Sequence, residues 1–191
     1  SSSCTFSSGC ADQDLDRQFN VGRVLVYGAE VLLGQTIRLP ERMQLVGSLS
    51  YTYTGSTFPT SFESGYPQFG SVVEGDKLPY VPEHQGSARL AFLFPRGSVE
   101  AVLSGQSEVR DSAGQGPFVE GSSIPGHVVL DLAADVNVHG PVSLYTTISN
   151  VTNAQYMVGR RPYGARPGRP FHVMVGVKVR GLPPLPPRPA G

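Results

Sequence analysis

The chain has 191 residues, 39% of them hydrophobic and 16% charged, with 23 glycines, 17 prolines and no tryptophan, whereas a soluble globular domain usually carries about 25% charged residues. Lys+Arg 15 balances Asp+Glu 15, so no bulk field points to nucleic acid as a partner. No run approaches the ~18 apolar residues of a membrane helix, and the opening SSSCTFSSGC has neither the basic start nor the apolar core of a secretory leader.

The first stretch is rich in Ser and Gly and holds the only two cysteines, Cys4 and Cys10. A small loop disulfide between them fits an oxidising compartment. Two free thiols are the alternative, and zinc is disfavoured because no His or second Cys pair is near.

From there on, nearly every segment has a period of two. Residues 23–37 set Leu25, Tyr27, Ala29, Val31 and Leu33 against Glu30, Thr36 and Arg38. Residues 43–54 set Met43, Leu45, Leu49, Tyr51 and Tyr53 against Gln44, Ser48, Ser50, Thr52 and Thr54. The alternation continues in 86–94 (Ala88, Leu90, Phe92, Phe94) and in 98–110 (Val99, Ala101, Leu103, Val109). It is clearest in 127–138, where Val128, Leu130, Leu132, Ala134, Val136 and Val138 alternate with residues that include His127, Asp131 and Asp135. Residues 142–150 and 171–180 complete the series. About seven strands are predicted, most near the ~10 residues that cross a bilayer when tilted, and no segment has a helical period.

The connections alternate in length. LPER, PRG and HGP are short turns, while the connections after residues 54, 110 and 150 are long and rich in Gly and Pro. Short turns at one end and long loops at the other are the pattern of an outer-membrane β-barrel. The polar face is mostly Ser, Thr and Gln, which suits a wet lumen, and the apolar face has no charge at any strand centre. Tyr51, Tyr53 and Phe58 gather near the loop end, Phe92 and Phe94 near a turn end, as interfacial girdles do. A soluble β-sandwich is the competing architecture and would bury the same rings.

Several stretches resemble the C-terminal part of the TonB-dependent outer-membrane receptors. GAEV at 28–31 resembles a Gly-x-Glu strand of that family, GDKLPYVPEHQ at 75–85 the path from a long outer loop into the next strand, and RDSAGQGP at 110–117 another outer loop. SNVTNAQYMVGRRPYGARPGRP at 149–170 resembles the penultimate strand, the last outer loop and the approach to the final strand; its form is nearest to the ferric citrate and related siderophore receptors. The resemblance implies an all-β chain, an antiparallel meander of about seven transmembrane strands within a barrel of ~22. On that basis residues 1–180 are barrel, with 1–21 an outer loop, and 181–191 are a Pro-rich disordered tail. The resemblance also implies that the N-terminal plug, the remaining strands and the contact with TonB through the plug belong to other parts of the same receptor. No plug-like motif is present, and the last strand runs on into RGLPPLPPRPAG rather than ending on an aromatic residue.

Within this frame RRPYGARPG, followed by Arg169, becomes the last outer loop. Arg160, Arg161, Tyr163, Arg166 and Arg169 are candidates to meet an anionic ferric chelate, because guanidinium pairs with carboxylates in bidentate fashion. Lipopolysaccharide phosphates, loop carboxylates or a purely shape-setting role for the prolines and glycines are the competing readings. Glu30, Arg89, Glu100, Glu108, Arg110, Asp131 and Asp135 fall on the polar face, where the family's side chains meet the plug or pore water. The four histidines are scattered without metal-ligand spacing, and NVT at 150–152 falls within a predicted strand. No catalytic motif stands out. The expectation is therefore a receptor and transporter for a ferric siderophore or citrate-like chelate, energised by TonB, with no enzymatic activity, no cofactor and no nucleic-acid partner. It would sit in the outer membrane with its loops extracellular and its C-terminus periplasmic. A small structural or adhesive barrel is the alternative.

Overall fold

The computed structural model describes residues 22–66, 68–161 and 164–179. The expectations for Cys4, Cys10, the 1–21 loop, Tyr163 and the 181–191 tail lie outside these residues. Seven long strands form one antiparallel sheet: β1 (Leu25–Arg38), β2 (Gln44–Thr57), β5 (His84–Phe94), β6 (Gly97–Gln106), β9 (His127–His139), β10 (Val142–Ser149) and β13 (His172–Val179). Their order in the sheet is their order in the chain, so the sheet is a meander. Six short strands pair within the long loops: β3 (Phe62–Glu63) with β4 (Ser71–Val72), β7 (Val109–Arg110) with β8 (Ser123–Ile124), and β11 (Met157–Gly159) with β12 (Arg166–Pro167).

The register keeps the two faces separate across the sheet. Leu33, Leu49, Ala88, Leu103 and Leu130 form one continuous rung. Glu30, Thr52, Gln85, Gln106 and His127 form another on the opposite face. A one-residue slip anywhere would exchange the faces, so the alternation itself holds the register.

The burial is the reverse of that in a soluble sheet. The apolar face is open, with Leu33 59%, Val128 57%, Val175 71% and Val177 63% exposed. The polar face is the closed-in one, where Ala91, Val129 and Ser143 are buried. A sandwich would need a second layer over the apolar face, and the described residues contain none. Rings mark both ends of that face. Tyr53 lies 6.5 Å from Tyr27 and 5.4 Å from His84 at the long-loop end, and Phe92 lies 5.8 Å from Phe94 at the other.

Two expectations are corrected. The strand predicted over 98–110 ends at Gln106, because Gln106 pairs with His127, the first residue of β9, and with Gln85, one residue from the start of β5. Past it one bond remains, from the Ser107 N–H to the His84 carbonyl at 2.8 Å, and Val109–Arg110 pair with Ser123–Ile124 instead. Glu108 and Arg110 therefore belong to a long loop and not to the polar face of the sheet. Phe58 is not part of the girdle either: it follows the end of β2 and is completely buried in a loop core.

The short turns are tight. After β1, Leu39 N–H donates to the Met43 carbonyl at 2.9 Å across the turn at Pro40–Arg42. Glu41 and Arg42 both have positive φ, 57° and 62°. This conformation suits the right-handed twist of a hairpin but disfavours residues other than Gly, Asn and Asp, because their Cβ crowds the carbonyl oxygen. The double substitution Glu41→Asn with Arg42→Gly is expected to stabilise the protein by about 0.5–2 kcal/mol, read as a higher unfolding midpoint in detergent. An unchanged or lowered midpoint would mean that the turn carries no strain.

Candidate functional site

The three long loops meet at one end of the sheet and form a cap with its own small core. In residues 58–83, Phe58 sits between Phe62 and Phe69, with ring centroids 5.4 and 5.9 Å away, and Val72 is buried beside this part of the loop. Asp76 is buried as well, and its Oδ2 accepts the Val73 N–H at 2.8 Å. The Phe58 N–H donates to the Asp76 carbonyl and the Gly75 N–H to the Phe58 carbonyl, both at 2.9 Å. Apolar burial and a satisfied carboxylate together shape a loop whose composition alone suggests no fixed shape.

Backbone hydrogen bonds join this loop to residues 107–126. Lys77 donates to Gly114, Tyr80 to Arg110 and Ala113 to Gln68, each at 2.9 Å. The base of the last loop is tied by Asn150, which is fully buried. Its N–H donates to Asp131 Oδ1 at 2.7 Å, its Nδ2 to the carbonyls of Ala154 and Arg169 at 2.9 Å, and its Oδ1 accepts the Ala154 N–H at 2.8 Å. Asn150 and Asn153 have φ of 51° and 49°, a region that Asn tolerates better than most residues. The NVT stretch is therefore a turn beyond β10 and not part of a strand.

The arginine loop closes the cap from the far side. The backbone N–H groups of Arg160 and Arg161 both donate to the Tyr80 hydroxyl, at 3.2 and 3.1 Å. The Arg160 guanidinium donates from Nε to the Ser123 carbonyl at 2.8 Å and from Nη1 to the Gly121 carbonyl at 2.7 Å. Arg160 thus fastens the last loop to residues 121–123. Arg161 makes a looser contact: Nε lies 3.5 Å from Asp111 Oδ2 without a hydrogen bond, and the buried Asp111 Oδ1 has no protein partner among the described residues. Arg166 and Arg169 are exposed. Arg169 donates to Ser149 Oγ at 3.3 Å, and the Arg166 guanidinium lies over Gly159.

The charged residues expected on the polar face have different environments. Arg89 and Glu100 form a two-pronged ion pair at 2.7 and 2.6 Å. Asp131 is engaged by the Asn150 N–H, and Glu30 stands opposite Thr52. Asp135 lies near the short turns, in a hollow it shares with Glu100, Tyr145 and Lys178. In the cap, Glu108 accepts from the Ser123 hydroxyl, while Arg110 donates to the Gly116 carbonyl and lies 4.6 Å over the Phe118 ring. Tyr80, Asp111, Ser123 and Asn150 were absent from the sequence-derived candidates. The two asparagines flanking VT were the one visible sign, since such spacing suits a turn with left-handed residues.

The family model described as "TonB dependent receptor-like, beta-barrel" matches residues 1–151. The chain belongs to this family. It is a family of outer-membrane receptor barrels and not of enzymes. No curated protein sequence matches the chain. Among solved structures, the siderophore receptor PiuA from Acinetobacter baumannii is similar with a TM-score of 0.61 at 22% identity, covering 84% of this chain and 22% of PiuA. The ferric-catecholate import receptor Fiu from E. coli K12 has a TM-score of 0.49 at 13% identity, covering 81% of this chain and 27% of Fiu. The chain therefore spans about a quarter of the length of these receptors, and the PiuA likeness is one of fold.

Tyr80 is the residue on which the cap turns. Its own φ of 60° is one that L-residues adopt at a cost of about 1–2 kcal/mol, and its hydroxyl takes two N–H donors from the last loop. Tyr80→Phe leaves both donors without an acceptor, at about 1–3 kcal/mol. Hydrogen exchange at the amides of Arg160 and Arg161 is expected to quicken by about tenfold or more. Unchanged exchange would show that the loops are held by other contacts.

Proposed function

We propose that this chain is the C-terminal part of the barrel wall of an outer-membrane receptor that imports an anionic ferric chelate, siderophore or citrate-like. Import would be energised by TonB acting on a plug domain in another part of the receptor. The strand edges support a longer wall. Among the described residues β1 and β13 each have one side without a neighbour, and an unsatisfied backbone group in lipid costs several kcal/mol. Further strands of the same receptor would pair there. The apolar face would meet lipid, the polar face the lumen and plug, and the cap would stand outside the cell, where its rim meets lipopolysaccharide. The C-terminus would then be periplasmic.

The observation that carries the ligand class is the arginine mouth. Arg161, Arg166 and Arg169 hold guanidinium groups that no carboxylate among the described residues fully satisfies, and Arg161 faces Asp111 only at 3.5 Å. A chelate carboxylate could take the hydrogen-bonding geometry that Asp111 does not. PiuA is by name a siderophore receptor, which puts such chelates among the candidates. Arg160 has a different part in this reading: it holds the loop in place and acts on ligand through the position of Arg161. Tyr163, within the same loop, is a further candidate contact.

The test replaces Arg161, Arg166 and Arg169 singly with Gln in the intact receptor and measures ferric citrate binding to whole cells at low and high salt. Loss of the most involved arginine is expected to weaken binding about three- to tenfold, and the loss should shrink at high salt as screening removes the attraction. Unchanged affinity in all three variants at normal receptor levels would leave the loop as a shaped turn.

A further inference from the structure

Directly beneath the cap, on the polar face, lies an open cavity of about 300 Å³. The geometry points to a binding site here for a neutral, polyhydroxylated ligand segment, distinct in chemistry from the arginine mouth above it. The inference rests on the receptor reading, because it takes the polar face as the path a ligand sees. Six side chains matter: Ser50, Thr52, Gln85, Ser104, Gln106 and His127. Thr52, Gln85, Gln106 and His127 occupy one straight rung across four strands, and Ser50, Ser87 and Ser104 occupy the next.

The lining has a high density of hydrogen-bonding groups and contains no carboxylate, lysine or arginine. Ser50 and Ser87 hydroxyls bond to each other at 2.9 Å. The side chains of Thr52, Gln85, Ser104 and Gln106 make no hydrogen bond to any other described residue. Each carboxamide brings two donors and an acceptor oxygen with two lone pairs, and each hydroxyl can do either. His127 is held flat by stacking on Tyr156, ring centroids 4.4 Å apart, and its Nδ1 is buried with no partner among the described residues. Paired carboxamides and hydroxyls set side by side complement vicinal hydroxyl groups, which also donate and accept in pairs.

Charge placement selects against an anion at this level. Glu30 stands opposite Thr52 at the edge of the rung, where a carboxylate accepts from hydroxyls and repels another carboxylate. No arginine lines the cavity, and three in adjoining segments are engaged elsewhere: Arg89 with Glu100, Arg110 with the Gly116 carbonyl and the Phe118 ring, and Arg160 with the carbonyls of Ser123 and Gly121. A ligand carrying both an anionic group and a neutral hydroxylated portion would therefore meet the two levels in turn.

The test uses the intact receptor in detergent and saturation-transfer NMR, with sucrose as the neutral probe and citrate as the anionic one. Sucrose is expected to saturate the receptor with an affinity that does not change with salt. Gln85→Leu combined with Gln106→Leu should weaken it about tenfold, as expected for the loss of two neutral hydrogen bonds. Thr52→Val, nearly isosteric, should weaken it by a few-fold and guards against a folding defect in the double variant. Three results would overturn the inference: sucrose affinity equal in all variants, citrate saturating the same groove with salt-dependent affinity, or no sucrose signal from a folded receptor that still binds ferric citrate. The last would be the outcome if a plug segment fills the groove. Binding is read without energised uptake, so sucrose binding through these residues in a receptor that imports no ferric chelate would remove the transport reading alone.

Discussion

The ladder of backbone hydrogen bonds between neighbouring strands supports everything else in this molecule. An apolar sheet face in a soluble domain needs a second layer to cover it. Here the described residues provide none, and large side chains such as Val175 and Val177 stand mostly exposed. In the outer membrane such a face is solvated by lipid, provided that each backbone N–H and C=O is satisfied within the sheet. Apart from the outer sides of β1 and β13, the long strands meet that demand: β1 and β2 pair without interruption over 14 residues, and the irregularity between β9 and β10 lies beside the short turn at Val142. Where a glycine faces a tyrosine, as at Gly55 with Tyr27 and Gly176 with Tyr145, the ring lies over the glycine and covers backbone that would otherwise be bare.

Because the ladder fixes the strand ends, it also fixes where the loops start. The long loops all leave from one end, so they are crowded together, and they respond by packing. Phe58, Val72, Val109 and Ile124 are buried there, which gives the cap a small hydrophobic core that the membrane part of the sheet lacks. Polar groups complete it. Asp76 and Asn150, both buried, bond mainly to backbone groups, which is how an irregular segment satisfies its unpaired amides and carbonyls away from water. The cap is therefore a folded unit and not a fringe.

That packing divides the arginines into two kinds. Arg160 bonds to two carbonyls and cannot offer the same donors to a ligand without letting go of residues 121–123. Arg161 has only the 3.5 Å contact with Asp111, and Arg166 and Arg169 are exposed. On the polar face next to the cap, the side chains of Ser50, Thr52, Gln85, Ser104 and Gln106 are hydroxyls and carboxamides.

The period-two alternation was enough to place the seven strands and separate their faces, because in a sheet each side chain's direction follows from its parity alone. Val128 to Val138 is the clearest case: the strand that holds it runs from His127 to His139 in the structure, within one residue of the sequence reading. Turn length distinguished the two ends and put the Arg-rich loop between β10 and β13. Parity could not say where a strand stops for want of a partner, which is why Glu108 and Arg110 went to the wrong place and Phe58 looked like part of a girdle. The partners of the arginines were equally out of reach. Tyr80 and Arg160 are 80 residues apart, and the hydrogen bond between them exists only because the meander brings three loops to one end. The sequence by itself determined the pattern of each strand, since that is written in adjacent residues. Only the tertiary structure decided which polar groups meet, since that depends on distance in space between segments with no local signal in common.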